Sequence, residues 1–300
     1  MKIVFSRKGF DKRNGGAASP IFQDDSFRSL PVPAEGDQEQ PPARRYRVSY
    51  KDLPYNRRVR LGSLVEDLTY NPRKRKPRIR GTDLCHLDPD LIREDRPRKP
   101  GWMPLFGQSG AAASHLLNHG VREGDVFLFF GWFHRVRKVD RRFRYDPERL
   151  DAHIIFGWLQ VGHIWCTFDP ESLVPRWARY HPHVRGEVDG IYNLSRPVDV
   201  VFIATRRLHL PGIRRRLPGG GVFQAYHKNL CLSSLEKGRR HWRLPAWMYP
   251  FPNKPPLSYH DDRRRWRRDG RGCLLRTVDI GQEFVLDTEY YPKAYQWLAG

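Results

Sequence analysis

Two short motifs in this 300-residue sequence place histidine and aspartate at the spacing that metal ligands use. In His86-Leu87-Asp88, an extended backbone turns the first and third side chains to the same side, as in a 2-His-1-carboxylate iron site. In His181-Pro182-His183, the proline fixes the backbone between two imidazoles, which suits metal ligation or paired phosphate contacts. The spacing is compatible with a divalent metal bound by His86, Asp88 and His183, although it favours a structural or hydrogen-bonding role for the motif over a metal site. Other histidines that could complete the site are His153, His163, His181 and His260.

A glycine-rich loop follows the first apolar segment and combines adjacent cations with a carboxylate. Arg7 and Lys8 are phosphate-binding groups, and Asp11 could act as a general base or as a metal ligand. Glycines let backbone amides approach a phosphate, and those of this loop are Gly9, Gly15 and Gly16. The Walker A pattern is absent, so the loop is not a P-loop. It predicts a phosphate or nucleotide site, the alternative being an exposed loop whose cations are merely hydrated.

A run of arginines near the C-terminus carries one aromatic ring. In residues 263–268, a tryptophan interrupts five arginines, an arrangement typical of phosphate clamps and base-stacking platforms. We therefore expect Arg265 and Trp266 to contact nucleic acid. A hydrated charge run is an equally good interpretation of the segment taken alone, since three neighbouring aspartates lower its local charge.

The overall charge points to a polyanionic partner. The chain has 54 Lys and Arg against 33 Asp and Glu, which gives a net charge of +21 and a pI near 10.2. Nucleic acid is the first candidate for such a protein. Segments this charged cannot be buried without partners, so we expect them to form a broad basic surface. These segments are residues 73–80, 96–99, 135–144 and 263–268.

The sequence contains no signal for export or for membrane insertion. No run of about eighteen apolar residues occurs, and the first eight residues lack the apolar core of a signal peptide. We therefore expect a cytoplasmic protein without a membrane partner. The four cysteines, which we expect to be reduced and mostly buried because no C-x-x-C pair occurs, are Cys85, Cys166, Cys231 and Cys273.

The side chains named above must be positioned by a strand-rich core. Two apolar runs, Val126 to Phe133 and Ile154 to Val161, share a Phe-Gly-Trp pattern and are predicted to pair as antiparallel central strands. Their tryptophans, Trp132 and Trp158, are expected near a base-binding pocket. A helix is predicted over residues 109–119, ended by a left-handed Gly120.

Strands outnumber helices along the rest of the chain, without a βαβ rhythm. Further strands are predicted at residues 1–5, 198–204, 221–226, 273–278 and 284–287, with short helices beginning at Asp169 and spanning 291–298. We predict one domain over residues 1–300 of the α+β class, with a mixed or mainly antiparallel sheet or partial barrel as its core. A few short peripheral helices and long basic loops would surround this core. Residues 29–43, rich in proline and acid, are expected to form an exposed excursion.

Short motifs spread along nearly the whole chain carry a family resemblance. They are Phe5-Ser6-Arg7-Lys8-Gly9-Phe10-Asp11, Gly15-Gly16, Ser19-Pro20-Ile21, His86-Leu87-Asp88-Pro89-Asp90-Leu91, Phe106-Gly107-Gln108, Gly124-Asp125, residues 127–133, His181-Pro182-His183 and Gly281-Gln282-Glu283-Phe284. Together they resemble the nucleotide modification associated domain 3 family, although Lys12 and Ala18 stand where the family commonly has serine and proline. The resemblance implies an association with modified nucleotides in DNA. It adds Gln108 as a nucleotide contact and Glu283 as a catalytic group.

Residues 121–170 also resemble PUA-like barrels of the EVE and ASCH type. They contain a Gly-Asp turn, an apolar strand and a second apolar strand that ends in Gly-x-x-x-Val-Gly. Because such domains hold a flipped or modified base, the resemblance implies a PUA-like β subregion at about residues 121–205. Common turn chemistry is the alternative explanation of the Gly-Asp pair.

These features favour a protein of nucleic-acid modification that takes a base or nucleotide, of DNA rather than RNA, into an aromatic and basic pocket. Its catalytic groups would be Asp11, His86, Asp88 and Glu283. One alternative is a noncatalytic reader of modified bases, and another is a nuclease that acts on modified DNA. The sequence identifies no cofactor, although a divalent metal is a candidate, and it indicates no particular oligomeric state.

Overall fold

The computed structural model describes residues 1–34, 47–55, 59–166, 175–184, 199–213, 216–270, 272–279 and 281–299. Within these ranges the helices are α1 (Leu61–Leu68), α2 (Gly110–Asn118) and α3 (Ala294–Ala299). The strands are β1 (Lys2–Arg7), β2 (Ser19–Ile21), β3 (Val48–Ser49), β4 (Tyr70–Asn71), β5 (Lys76–Pro77), β6 (Leu84–Cys85), β7 (Leu105–Ser109), β8 (Val126–Val139), β9 (Arg142–Tyr145), β10 (Ala152–Cys166), β11 (Asp199–Ala204), β12 (Gly220–Val222), β13 (Ser233–Ser234), β14 (Gly238–Leu244), β15 (Trp266–Asp269), β16 (Gly272–Arg276) and β17 (Glu283–Asp287).

A nine-stranded mixed sheet forms the centre of the fold. Its strands follow the order β17-β1-β8-β10-β11-β7, while β2 and β9 pair with β8, and β12 pairs with β10. β1 and β2 run parallel to β8, whereas the other pairs of this sheet are antiparallel. The predicted α+β class with a mixed sheet is therefore confirmed.

The two edge strands of this sheet, β7 and β17, approach each other. Gln108 on β7 donates its Nε2 hydrogen to Oε1 of Glu283 on β17 over 2.7 Å, and α2 packs against both strands. Backbone hydrogen bonds do not join these two edges within the described strands, so the sheet is curled without being a closed barrel. The described strands therefore do not show the PUA-like barrel that residues 121–170 resemble in sequence.

The central strands are buried on both faces. Phe127 and Phe129 of β8 enter one hydrophobic core together with Val4 of β1. Leu128 and Phe130, which point to the opposite face, enter a second core. A four-stranded antiparallel sheet, ordered β13-β14-β16-β15, covers that second core. Burial on both faces explains why β8 is an almost continuous apolar run in the sequence.

The strongest sequence patterns correspond to elements of the structure. β8 and β10 are antiparallel neighbours, as predicted, and both are longer than their apolar runs. Their register shifts between Ile155 and Gly157, which agrees with the tendency of a strand glycine to mark a bulge. The helix expected over residues 109–119 is α2, and the strand expected over 198–204 is β11 within its described residues.

Other boundaries differ from prediction. The strand expected over residues 221–226 is β12, which ends at Val222, and the final helix begins at Ala294 rather than at Tyr291. The helix expected to begin at Asp169 lies outside the described residues, as does most of the excursion at 29–43. In the described part of that excursion, Leu30 and Pro31 are buried.

Two further sequence expectations concern the cysteines and the membrane. All four cysteines are free thiols, with Cys85 and Cys273 buried and the other two half-buried. None of the helices within the described ranges combines the length and the apolar character that a bilayer span requires.

Candidate active site

A cleft of about 700 Å³ opens where three strands of the main sheet begin or end. β1 ends at Arg7, β7 carries Gln108 near its end, and β17 begins at Glu283 beside Ser6. The sequence-predicted site residues that line this cleft are Arg7, Lys8, Gly9, Asp11, His86, Asp88, Gln108, Trp132 and His183. The glycine-rich loop and the His-Asp motif, far apart in sequence, therefore meet at one cleft.

The imidazoles of His86 and His183 converge on the carboxylate of Asp88. Nε2 of His86 lies 3.3 Å from Nε2 of His183, which in turn lies 3.8 Å from Oδ2 of Asp88. Nε2 of the fully buried His181 lies 3.2 Å from the other carboxylate oxygen, Oδ1. One nitrogen or oxygen atom from each of His86, Asp88 and His183 lies within 4.8 Å of the other two. These three side chains can together hold a metal ion or relay a proton.

Strands β7 and β11 fix this cluster in place. The backbone N–H of Gly107 on β7 donates to Oδ1 of Asp88 over 2.7 Å. A Cβ atom at position 107 would overlap the ring of His183, so the glycine permits the close approach of that imidazole. On its other side, Nδ1 of His183 lies 3.5 Å from Oδ1 of Asp199, the first residue of β11. Both the carboxylate and the imidazole are thus held by the sheet.

Asp88 is ionised although it is buried. Burial alone would raise the pKa of its carboxyl group, because a low-dielectric interior disfavours charge. The close approach of the His181 imidazole and the electrostatic influence of His183, His181 and Lys8 together outweigh burial and hold this pKa below its usual range. The lowered pKa favours the charged form of this carboxylate, which can bind a cation or accept a hydrogen bond.

Lys8 is anchored next to this cluster by Glu283. Its Nζ lies 3.0 Å from Oε1 of Glu283 and 4.4 Å from the centre of the Phe106 ring. The same carboxylate oxygen accepts hydrogen bonds from Ser6 Oγ over 3.1 Å and from Gln108 Nε2 over 2.7 Å. Glu283 itself is not among the residues that line the cleft. This arrangement gives Glu283 a positioning role for Lys8 and Gln108.

Arg7 connects the end of β1 to the segment that precedes β17. Its Nη1 and Nη2 groups donate to the backbone carbonyls of Asp279 and Val278 over 3.2 and 3.0 Å. The guanidinium also lies 5.5 Å from the centre of the Phe284 ring. Burial is the largest influence on Arg7 and lowers its pKa. Arg7 thus shapes the cleft wall and adds positive charge to it.

Asp11 organises the glycine-rich loop. Its Oδ1 accepts hydrogen bonds from the backbone N–H groups of Arg13 and Asn14, each over 2.7 Å, and its Oδ2 accepts one from Nδ2 of Asn14. Gly15 has a φ of 90°, and a Cβ atom there would overlap the ring of Phe10. The carboxylate of Asp11 is therefore engaged by its own loop, at the wall of the cleft.

The lining of the cleft also includes residues that the sequence did not single out. The guanidinium carbon of Arg239 on β14 lies 4.2 Å from the centre of the Trp132 ring, and burial is the main reason that its pKa is lowered. The adjacent Arg240 pairs with Asp279 over 2.6 Å. With these two arginines, the cations that line the cleft are Arg7, Lys8, Lys12, Arg13, Arg239 and Arg240.

Three predicted nucleic-acid contacts lie elsewhere. Trp158 donates its Nε1 hydrogen to the carbonyl of Pro218 and is not among the lining residues of the cleft. Trp266 belongs to the core beneath the four-stranded sheet, where its Nε1 hydrogen bonds to the carbonyl of His260. A ring buried in this way offers no face on which a base could stack. Arg265 donates to the carbonyl of Arg276 over 3.3 Å and does not line the cleft either.

One of the four basic segments is partly internal, contrary to the prediction. Arg98, in the segment 96–99, forms two 2.6 Å hydrogen bonds with the carboxylate of Asp90 and a 2.9 Å bond with Tyr180 Oη. The side chains of Arg98 and Asp90 are 2% and 0% exposed. Local charge density predicts exposure, but here a buried carboxylate supplies the partner that burial requires.

Two other basic segments are exposed and are linked to the cleft. Residues 73–76 and 137–142 are exposed on the surface. Nη2 of Arg78 lies 3.5 Å from the carbonyl of Arg13 in the glycine-rich loop. Arg142 at the start of β9 lies over the ring of Tyr70, which precedes the 73–76 turn. Positive charge therefore continues from the cleft wall to the β8–β9 hairpin.

A second cleft, of about 660 Å³, adjoins the first, because Gly9 and Asp88 line both. Its lining contains aromatic rings, among them Phe156 on β10 and Phe223 after β12. Asp88 therefore lies where a cleft rich in cations meets one that contains aromatic rings.

Comparison with known proteins identifies one family. A family model described as nucleotide modification associated domain 3 matches residues 2–287, which include every residue of both clefts. No curated protein and no solved structure matches the chain.

Proposed function

We propose, from the premise that this chain belongs to the nucleotide modification associated domain 3 family, that it is an enzyme that modifies a base or nucleotide of DNA. The observation that carries the proposal is the meeting of two kinds of group in one cleft. The His86–Asp88–His183 cluster supplies reactive side chains, and the surrounding cations supply a binding site for phosphate.

The cations would bind the phosphates of the substrate. A phosphorylated substrate brings negative charge close to the Asp88 carboxylate, and Arg7, Lys8 and Arg239 offset that repulsion. Arg239 is in addition stacked on Trp132, so its guanidinium plane is held ready to contact an anion. DNA is favoured over a free nucleotide because exposed positive charge continues to the β8–β9 hairpin.

The base would enter the adjoining aromatic cleft. Phe156 and Phe223 offer apolar surface next to Asp88, which is the arrangement needed to hold an unstacked base close to reactive groups. The His86–Asp88–His183 cluster, whose Asp88 lines both clefts, would supply the groups that act on the bound base.

DNA binding can be tested by fluorescence anisotropy with labelled single-stranded and duplex oligonucleotides. The logarithm of the affinity should fall with the logarithm of the salt concentration, with a slope of about −0.9 per phosphate neutralised in B-form DNA. The double change Arg137→Glu and Arg141→Glu, at two exposed residues of the β8–β9 hairpin, should weaken binding at low salt more than tenfold. Lys293→Glu, which alters the charge of an exposed residue outside the basic segments, is the control and should bind normally.

Modification can be tested by mass spectrometry of nucleosides from treated DNA, since a covalent change alters nucleoside mass. We expect a new nucleoside with the wild-type protein and none with Asp88→Asn, which is nearly isosteric and should retain DNA affinity. Selective binding to DNA with modified bases, without any change in mass, would identify a reader instead. Shortened DNA strands would identify a nuclease.

A further inference from the structure

We propose that His86, Asp88 and His183 bind one divalent transition metal ion through His86 Nε2, His183 Nε2 and Asp88 Oδ2. The geometry of the three donor atoms is the first support. Two ligand atoms that are each about 2.1 Å from a common ion lie roughly 3.0–3.4 Å apart at right or tetrahedral angles. The two imidazole nitrogens are 3.3 Å apart, and His183 Nε2 is 3.8 Å from Asp88 Oδ2. One donor atom from each residue lies within 4.8 Å of the other two, so the side chains must rotate towards a common centre for all three atoms to contact one ion.

The surroundings direct the right atom of each ligand towards the ion. Asp88 Oδ1 is occupied by the backbone N–H of Gly107 and faces His181 Nε2, so Oδ2 is the oxygen directed at His183. Nδ1 of His183 faces the carboxylate of Asp199, which leaves Nε2 as the coordinating nitrogen. A carboxylate behind a ligating imidazole is the arrangement that orients histidine ligands in metalloproteins.

The proposed site has three protein ligands, and its other coordination positions face the basic cleft that His86, Asp88 and His183 all line. A metal with only three protein ligands keeps positions for water or substrate, as catalytic sites require and structural sites do not. Two imidazoles and one carboxylate favour Fe(II), Zn(II) or Mn(II) over Mg(II), which prefers oxygen ligands. A catalytic role for the metal rests on the proposed function, whereas metal binding itself can be measured separately.

The test uses the full-length protein after removal of metals with a chelator. Fe(II) under anaerobic conditions, Zn(II), Mn(II) and Mg(II) are added in parallel, and binding is measured by calorimetry and by metal analysis after gel filtration. We expect one transition metal ion per chain and a rise in melting temperature. His86→Gln and Asp88→Asn should each lower the affinity at least 100-fold, and Asp199→Asn should lower it 10- to 100-fold. His163→Ala removes an exposed histidine 3.3 Å from Glu123 and should bind metal normally.

Substitution with Co(II) supplies a readout that a purely structural role would not change. The visible absorption bands of Co(II) should appear on binding to the wild-type protein and shift in His86→Gln, because one nitrogen ligand is lost. His86 is only half-buried, so this variant should fold and melt like the parent. The proposal is overturned if His86→Gln and Asp88→Asn bind Zn(II) and Fe(II) as tightly as the wild type does. It is also overturned if the wild type binds Mg(II) as tightly as it binds Zn(II) and Fe(II).

The same experiments separate this inference from the proposed function. One ion bound without any change in nucleoside mass would leave the metal site intact and remove the proposed reaction. Modification that continues in the chelated protein and in His86→Gln would instead remove the catalytic role of the metal.

Discussion

The guanidinium of Arg98 is one of the charged groups that this basic protein keeps in its interior. It is held by Asp90, Tyr180 and the carbonyl of Ile92, and it stacks 4.3 Å from the centre of the Trp102 ring. The charges of Arg98 and Asp90 compensate each other, and neither side chain has access to water. Removing one partner of such a pair leaves the other charge buried and uncompensated.

We therefore predict that Arg98→Ala lowers the free energy of unfolding by about 3–5 kcal/mol. The exposed pair of Arg264 and Asp262 is the matched control, since surface ion pairs contribute little. Arg264→Ala should unfold at the same urea concentration as the parent. Equal midpoints for the two variants would contradict the internal position of Arg98.

At the residue scale, sequence patterns located part of the site. The local spacings of His86 with Asp88 and of His181 with His183 pointed to residues that the structure gathers around the Asp88 carboxylate, although residues 181–184 form a turn rather than an extended segment. Arg239 and Asp199 carry no such local signal. Their place at the site follows from the pairing of β14 and β11 with distant strands, which one sequence does not encode in short spacings.

At the scale of elements, Gly131 on β8 controls how closely the glycine-rich loop approaches the sheet. The N–H of Lys8 donates to the carbonyl of Phe130 over 2.8 Å, and a Cβ atom at position 131 would lie 2.7 Å from the carbonyl oxygen of Lys8. Such a distance is too short for two unbonded atoms, so any larger residue must displace the end of β1.

We predict that Gly131→Ala destabilises the protein by about 1–3 kcal/mol, the usual cost of overpacking. Because the displaced backbone carries Lys8, the variant should also bind DNA more weakly. Gly270, where an added Cβ meets no atom within 4 Å, provides the control. Urea unfolding and oligonucleotide binding of both variants check the prediction. Equal stabilities and equal affinities for Gly131→Ala and Gly270→Ala would contradict it.

The elements that could be predicted are those with one dominant pattern. β8 and β10 were predictable because burial on both faces demands uninterrupted apolar residues, and α2 because a glycine ends it. α1 was missed although Leu61, Leu64, Val65 and Leu68 have helical spacing and are buried. β15 was missed because arginines surround its single inward ring, Trp266, so its pattern resembles a hydrated charge run.

At the scale of the whole molecule, buried neutral histidines make stability depend on pH. His260 is locked between the carbonyl of Ser258 and the N–H of Val278, and burial is the main cause that lowers its pKa to about 4. Burial also lowers the pKa of His153 far below its usual value. The pKa of His134 shifts in the opposite direction, because its hydrogen bond to Asp151 raises it. Burial also lowers the pKa of His115 to about 4, so three histidines with lowered pKa values oppose one with a raised pKa.

We predict that stability is highest above pH 6.5 and falls as the pH drops from 6.5 to 4. In this window the unfolded chain binds protons that His260 and His153 cannot accept when folded. Each group contributes a slope of at most about 1.4 kcal/mol per pH unit. Urea unfolding, followed by tryptophan fluorescence from pH 7.5 to 4.5, measures the effect. His260→Gln should have a shallower profile and His163→Ala an unchanged one, while a flat profile for the parent would contradict the prediction.

The pairing of β1 with β17 has a consequence for synthesis on the ribosome. β1 emerges first and gains β8 as a neighbour once the chain passes Val139, but its other edge is covered only when residues 283–287 are made. At about 5–20 residues per second, the apolar edge of β1 stays open on the order of 15 to 60 s after its own translation. During that time it is a template for pairing with other nascent chains. Prematurely terminated products would keep this open edge and lack the carboxylate that anchors Lys8, so they should aggregate rather than compete for DNA.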